Sequence, residues 1–157
     1  DKKNLLNQFT GRYAHRYLPM TPEIVARCLA FQHTWCEERA CEENDGLARE
    51  HCAIHRMLTH FTALELHGGV IEVDGAVVAL TLGEPLNPET YVIHIEKALS
   101  GMSGLYQVIN QAFLADAAAG VPYVNREQDL GLPGLRRAKQ SYNPVRLIKK
   151  FTVTRRR

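Results

Sequence analysis

The hydrophobic period of the chain changes from helical to alternating near its middle, and this change restricts the fold more than any other sequence feature. Apolar residues recur at helical spacing through residues 21–64, whereas in the runs that follow they alternate with polar residues. Asp74-Gly75 separates two alternating runs and is a favoured two-residue turn of a β-hairpin. The sequence therefore predicts two helices followed by an antiparallel sheet.

Cap and turn residues set the boundaries of the predicted elements. Thr21-Pro22-Glu23 supplies a capping hydroxyl, a proline at the first helical position and an acid near the positive helix end. Asp45 is the predicted cap of the second helix. In chain order we predict helices at 21–39 and 45–64, strands at 70–73, 76–82 and 91–97 with a loop at 83–88, a helix at 105–119, a strand at 121–125, a helix between Gly134 and Pro144, and a last strand at 144–151. This order predicts an α+β fold, with a mixed sheet flanked by helices.

Length and composition indicate one globular domain without a membrane span. The chain of 157 residues is long enough to bury a core, and it contains neither an apolar run that could cross a bilayer nor a signal-peptide pattern. Its four cysteines form no metal-binding pair and no dense disulfide framework, so we expect reduced thiols. We therefore expect a cytoplasmic protein, with peripheral association at the membrane left open.

Basic residues are concentrated near the C-terminal end. Residues 126–157 contain ten of the 19 Lys and Arg residues but only two of the 17 Asp and Glu residues. Such a block indicates a polyanionic ligand, which can be nucleic acid, a phosphate-bearing cofactor or an anionic lipid surface. Arg155–Arg157 are expected to be a solvated tail.

The first residues resemble the end of an amphipathic helix, whose apolar residues are Leu5, Leu6 and Phe9. We predict that residues 1–20 are a connector helix from an upstream domain and that residues 21–157 form the main domain. On this interpretation the apolar residues of the connector are exposed in this chain and pack against the upstream domain.

The strongest candidate site lies in residues 123–151, where a predicted strand, a Gly/Pro loop and a helix follow one another. Gly131 and Gly134 permit a tight loop whose backbone N–H groups can point at an anion. Carboxylates, cations and a phenol surround this one turn: Arg126, Glu127, Asp129, Arg136, Lys139, Ser141, Tyr142 and Lys149.

These residues also carry a family resemblance. The run NREQDLG at 125–131, with Gly134-Leu135-Arg136, Ala138-Lys139, Ser141-Tyr142 and Pro144-Val145, resembles the bacterial family grouped with the C-terminal domain of phosphatidylglycerol lysyltransferase. The segments LGE at 82–84, HIEK at 94–97 and YQVINQ at 106–111 support it. The resemblance implies a GNAT-like acyltransferase fold with a mostly antiparallel sheet. It also implies a tandem protein in which this chain is the second half, with an upstream GNAT-like domain as its partner.

The resemblance further implies transfer of an aminoacyl group from aminoacyl-tRNA, the donor substrate, to an amine or hydroxyl of a lipid head group or small molecule. No permanently bound cofactor is expected. In GNAT acetyltransferases a Gly-rich loop opening the helix after the fourth strand holds the pyrophosphate of CoA. Here the turn is LSGMSG at 99–104, which lacks the leading Gln or Arg and the glycine spacing of that loop. Acetyl-CoA is therefore the weaker donor, although glycine and serine can still form an anion nest.

Each candidate residue has a catalytic and a structural interpretation. We predict that Arg136 and Lys139 bind phosphate, joined by Arg126, Gly131, Gly134, Ser141 and Lys149; the alternative is a solvated helix face. Asp129 is predicted to bind the acceptor or accept its proton, and alternatively caps the helix. The resemblance to GNAT enzymes implies that Tyr142 is a general acid, and the alternative is a core tyrosine. Glu127 is catalytic or pairs with Arg126.

His94 and Glu96 share one face of a predicted strand beside the expected cleft. His94 can be a base there, although most such histidines are packing residues. A zinc site at His51 and His55 with Cys36 and Cys41 matches no usual ligand spacing, so no metal is predicted. Three functions remain open at this point: an aminoacyl or acyl transferase, a CoA-dependent N-acetyltransferase, and a non-catalytic GNAT-like binding domain.

Overall fold

The computed structural model describes residues 2–155, and the chain divides into two compact units, Asp1–Asn125 and Arg126–Arg157. The helices of the first unit are α1 (Lys2–Arg12), α2 (Pro22–Glu38), α3 (Asp45–Thr59) and α4 (Leu105–Ala117), with a short 3₁₀ turn at Cys41–Glu43. Its strands are β1 (His15–Pro19), β2 (His67–Val73), β3 (Ala76–Asn87), β4 (Thr90–Ala98) and β5 (Tyr123–Asn125). The second unit contains α5 (Pro133–Gln140). Two residues of the predicted arginine tail, 156 and 157, lie outside the described residues.

The five strands form one sheet in the order β1-β2-β3-β4-β5. The first four strands are antiparallel to their neighbours, and β5 is parallel to β4. Asp74 and Gly75 both have positive φ angles, of 49° and 80°, as a type I′ hairpin turn requires. The predicted α+β class with a mostly antiparallel sheet is therefore confirmed.

Helices cover both faces of the sheet. On one face, α2 and α3 pack through Phe31, Trp35 and Leu58 against Leu80 and other sheet residues. On the opposite face, a second cluster joins α1 and α4 to the sheet through Phe9, Ile71, Ala79, Ile109 and their neighbours. Adjacent sheet residues thus point into different clusters, which is why these strands are apolar on both faces.

The fold begins earlier than the predicted boundary at residue 21. His15–Pro19 forms the edge strand β1, paired with β2, and Phe9 of α1 is fully buried. The prediction that Phe9 is exposed in this chain was therefore wrong. The edge strand escaped prediction because it is only five residues long and ends in a proline, a residue typical of strand edges. An upstream domain stays a prediction.

Two further elements differ from the prediction. The predicted loop at 83–88 continues β3 to Asn87, with register shifts that a simple alternation pattern does not anticipate. The predicted strand at 144–151 forms neither a strand nor a helix in the described residues. Its apolar side chains are exposed instead of packing on a sheet.

The cap of α3 is Asn44 and not Asp45. The side chain of Asn44 accepts hydrogen bonds from the backbone N–H groups of Gly46 and Leu47, at 3.0 and 3.1 Å. Asp45 is the first residue of the helix, where its charge lies near the positive helix end.

Cys36 and Cys41 form a disulfide, which corrects the prediction of reduced thiols. The chain turns at Ala40, whose φ is 47°, and this brings the two α-carbons to 5.1 Å. The bond joins the end of α2 to the 3₁₀ turn, whereas Cys28 and Cys52 are free. Within residues 2–155, no cluster of three His, Cys, Asp or Glu side chains could hold a metal ion.

Candidate active site

The edge of the sheet opens into a fork between β4 and β5. The parallel pairing runs only from Thr90 with Tyr123 to Val92 with Asn125. There β5 ends, while β4 continues to Ala98. The backbone of β4 beyond Val92 is therefore not covered by β5, and a fork beside a parallel strand pair is a common place for ligands.

A β-bulge lies immediately beyond this fork. Leu82 pairs with Ile95 and Gly83 with Ile93, so the register passes over His94. A β-carbon at Gly83 would lie within 3.0 Å of the Val92 carbonyl oxygen, so the strands can approach this closely only with glycine there. Bulges often re-aim a side chain next to a functional site.

The re-aimed histidine contacts a carboxylate of the neighbouring strand. Nε2 of His94 lies 2.9 Å from Oε1 of Glu84, and a quarter of the His94 side chain is exposed. A carboxylate in this position orients the imidazole and stabilises its protonated form. The pair can therefore take up a proton from a group bound in the fork.

Glu96 lies two residues beyond the bulge, and a side chain of α4 forms a hydrogen bond with its carboxylate. Nδ2 of the buried Asn110 donates a 2.8 Å hydrogen bond to Oε2 of Glu96. Sequence analysis named Glu96 but missed its partner Asn110, and it placed Glu84 in a predicted loop. Glu84 carried one usable signal, since it follows the apolar run of β3 by only two residues.

The turn that opens α4 is covered by α1. Gly104, the residue before α4, has φ 90°, and a β-carbon there would lie within 3.0 Å of the carbonyl oxygen of Leu5. Ser103 Oγ contacts Gln8 at 3.5 Å. In the same turn, Ser100 Oγ donates to the carboxylate of Glu38 at 3.0 Å. A carbonyl and a carboxylate therefore lie against this turn.

A partly buried ion pair lies on the α2–α3 face of β4. Nζ of Lys97 is 2.6 Å from Oε2 of Glu50 and 3.9 Å from the centre of the Trp35 ring. Burial lowers the pKa of Lys97, and the hydrogen bond that Lys97 donates to Glu50 opposes this shift. Trp35 also donates to the carbonyl of Ala98 at 3.0 Å. No sequence pattern linked these residues, which come from three separate elements.

In the second unit, Asp129 and Arg136 hold the predicted anion-binding loop. Nε of Arg136 donates to Oδ2 of Asp129 at 2.5 Å, and the backbone N–H of Gly131 donates to Oδ1 at 2.9 Å. These hydrogen bonds, with that from Arg136 the larger cause, lower the pKa of Asp129 to about 2. So acidic a carboxyl group is a weak proton acceptor, and the pairing favours a loop-holding role.

The other predicted residues of this unit also contact one another. Lys139 Nζ donates to the backbone carbonyls of Arg126 and Gln128, the latter at 2.7 Å. The Arg126 guanidinium lies 4.1 Å from the centre of the Tyr142 ring, in cation–π geometry.

Contacts at the ends of this unit are looser. Nζ of Lys150 lies 3.9 Å from Oε2 of Glu127, a long ion pair. Ser141 Oγ donates to the carbonyl of Ala138 at 2.7 Å. Gly131 has φ 74°, as the tight loop requires, whereas Gly134 lies within α5, and Lys149 is exposed.

Comparison with known proteins gives a family model and related structures. The family model described as "Phosphatidylglycerol lysyltransferase, C-terminal" matches residues 1–154. A conserved protein of unknown function from Bacteroides thetaiotaomicron VPI-5482 is 39% identical, with a TM-score of 0.86. The match covers 93% of this chain and 50% of that one, so the chain spans about half the length of that relative. No curated protein sequence matches the chain.

More distant structures share the fold. The ribosomal-protein-alanine N-acetyltransferase of Brucella melitensis biovar Abortus 2308 is 9% identical with a TM-score of 0.63, and the match covers 90% of this chain and 99% of that one. A predicted acetyltransferase from Clostridium acetobutylicum, solved with acetyl-CoA, is 11% identical with a TM-score of 0.56, and the match covers 90% of this chain and 96% of that one. At these identities the likeness shows the GNAT fold alone.

Proposed function

The chain belongs to the family of the phosphatidylglycerol lysyltransferase C-terminal domain, and we propose that it transfers an aminoacyl group from aminoacyl-tRNA to an amine or hydroxyl acceptor. The acceptor is a lipid head group or a small molecule. The observation that carries this proposal is the β4–β5 fork, which places the His94–Glu84 pair directly beyond the point where the two strands part.

The covered turn at the start of α4 supports a donor other than CoA. GNAT acetyltransferases hold the CoA pyrophosphate at the N-terminus of the helix after the fourth strand. Here the Leu5 carbonyl occupies the space above Gly104, and the Glu38 carboxylate accepts from Ser100. The carboxylate carries a negative charge and the carbonyl oxygen a partial negative charge, so both would repel a pyrophosphate. An ester donor whose phosphates bind elsewhere does not meet this obstacle.

The chemistry asks little of the protein beyond positioning and one proton transfer. The acceptor nitrogen or oxygen attacks the ester carbonyl carbon of the donor, and a tetrahedral intermediate forms. His94 takes the proton that the acceptor loses, and Glu84 stabilises the resulting imidazolium. When the ester C–O bond breaks, the ribose oxygen leaves and takes up the proton that His94 holds, which restores the neutral imidazole. The role of Tyr142 as a general acid stays a prediction. The product is an amide or ester of the acceptor, and no redox partner is needed.

Phosphate contacts of the tRNA are proposed for the second unit. Arg136 remains half exposed while it pairs with Asp129, so its guanidinium can still reach a phosphate. Arg126 and Lys139 add positive charge. Asp129 is then a positioning residue for Arg136, in place of the proton acceptor predicted from the sequence.

An upstream GNAT-like half remains the proposed partner. The match covers only half of the Bacteroides relative, so that protein contains a second part of about the same length as this chain. This supports a tandem arrangement. Because the chain corresponds to half of such a protein, the acceptor site can require the other half.

The test is a transfer assay with an aminoacylated acceptor-stem RNA, with acetyl-CoA in parallel and hydroxylamine as a small acceptor. Formation of aminoacyl hydroxamate above the uncatalysed rate supports the proposal, and transfer from acetyl-CoA alone overturns it. His94→Gln should lower the rate by a factor of about 100, a typical contribution of a general base.

The chain offers a matched control. His33 and Glu37 form an exposed His–Glu pair on α2, with 3.4 Å between Nε2 and Oε1. His33→Gln removes the same group at a distance from the fork and should leave the rate unchanged. Equal losses in both variants would contradict the assignment of His94.

A further inference from the structure

The C-terminal segment, residues 144–155, combines an irregular backbone with exposed apolar side chains. Within the described residues it contains no helix or strand. Its five large apolar residues are 65–93% exposed: Val145, Leu147, Ile148, Phe151 and Val153. Scattered apolar residues are normal on a surface, whereas five within nine positions indicate a partner.

The same segment is uniformly basic. It contains Arg146, Lys149, Lys150 and Arg155 and no acidic residue. Lys150 lies 3.9 Å from Glu127, while Arg146 and Lys149 are exposed. The surface therefore offers apolar area and positive charge together.

We propose that the C-terminal segment docks the protein on the surface of an anionic lipid bilayer. Phe151 and the aliphatic side chains enter the boundary between head groups and acyl chains, and the cations contact the anionic head groups. Each cation near such a surface strengthens binding about fivefold. This inference does not depend on the reaction proposed above.

The order of the residues favours a bilayer over a sheet edge. In a strand, Lys149 would point to the same side as Leu147 and Phe151 and would place an ammonium group in the middle of the buried face. At a bilayer the long lysine side chain reaches back to the head groups while its stem stays in the apolar layer. RNA would use the cations but would leave the aliphatic side chains in water.

The test is co-sedimentation of the full chain with vesicles. We expect binding to vesicles in which about a third of the lipid is phosphatidylserine or phosphatidylglycerol, and no binding to pure phosphatidylcholine. Similar affinity for both anionic lipids separates surface docking from recognition of one lipid as a substrate. Binding should weaken as salt is raised.

Two variants divide the contributions. Leu147→Ser with Phe151→Ser should lower the affinity at least tenfold, because it removes apolar area. Arg146→Gln with Lys149→Gln should lower it about 25-fold, since two cations are lost. The matched control is Arg49→Gln with Arg56→Gln, which removes two exposed charges from α3 and should leave binding unchanged.

Several results would overturn the proposal. These are no binding of the wild-type chain, a loss in the α3 control as large as in the segment variants, and binding by either segment variant that equals that of the wild type. If the wild-type chain does not bind vesicles but forms dimers in light scattering, and Leu147→Ser with Phe151→Ser restores monomers, the segment pairs with a second copy as a strand. RNA binding that depends on the cations alone, without vesicle binding, would assign it to nucleic acid.

Discussion

The carbonyl oxygen of Leu5 occupies the space that the first side-chain atom of residue 104 would need. This relationship joins α1 to the start of α4 and depends on glycine for two reasons. Gly104 has φ 90°, which other residues rarely adopt, and its neighbour is backbone that cannot rotate away. In the function proposed above, the same contact disfavours a CoA pyrophosphate at this turn.

Gly104→Ala should destabilise the protein by about 3 kcal/mol or more, because a steric clash adds to an unfavourable φ angle. The measurement is urea unfolding followed by the fluorescence of Trp35, the one tryptophan of the chain. Gly101→Ala is the control, since Gly101 has φ 83° but nothing within 4 Å of its β-carbon position. It should cost only about 1 kcal/mol, and equal losses would argue against the packing of α1 on this turn.

Arg136→Gln should return the pKa of Asp129 from about 2 towards its ordinary value of 3.8, because the main hydrogen bond to the carboxylate is lost. In the wild-type chain, the pairing stabilises the loop above pH 3.8, and this contribution disappears as the pH falls through about 2. Carboxyl-carbon NMR titration measures the shift directly. Arg137→Gln removes the same charge from the next residue and should change the pKa of Asp129 much less; equal shifts would leave no special role for Arg136.

Lys97→Met should remove a pH dependence of stability at alkaline pH. The pKa of Lys97 is lowered in the folded state, so the unfolded chain binds more protons between that value and 10.5. The free energy of unfolding of the wild-type chain should therefore contain a contribution from Lys97 that rises with pH in this window. In Lys97→Met the side chain still packs on Trp35 but does not titrate, so this contribution should be absent. Chemical unfolding from pH 8 upwards tests this. A pH slope unchanged in Lys97→Met would show that the ammonium is solvated.

Opening the Cys36–Cys41 disulfide should lower the free energy of unfolding by about 2 kcal/mol, the value for a loop this short. Cys36→Ser with Cys41→Ser and reduction of the wild-type chain should give the same loss. Cys52→Ser is the control, because Cys52 is exposed and free. If the reductant lowers the stability of the double variant as well, the loss has another origin.

The sequence was most informative where one local pattern decides a structure. Asp74-Gly75 predicted the hairpin because both residues tolerate positive φ, and Thr21-Pro22-Glu23 predicted the start of α2 within one residue. The predicted strand at 144–151 failed because alternation shows only that a strand could form and says nothing of a partner to pair with.

The candidate site was predicted only in part, because its geometry depends on long-range contacts. His94 was named from its strand, but the bulge that re-aims it arises from the register between β3 and β4. Asp129 and Arg136 were named separately as proton acceptor and phosphate ligand, since the six residues between them gave no sign that the loop would join them. Local sequence thus identified His94, Asp129 and Arg136 as candidates, whereas the contacts that they make could be seen only in the folded structure.

The packing of α1 on Gly104 also has a consequence for how the protein is made. Leu5 leaves the ribosome before Gly104, which follows it in the chain by about a hundred residues. Until the turn at Gly104 has been synthesised, Phe9 cannot reach its buried position and stays available to chaperones. α1 should therefore be among the later elements to dock during biosynthesis. Mutations that slow the formation of α4 should prolong the exposure of Phe9 and so favour aggregation of the nascent chain.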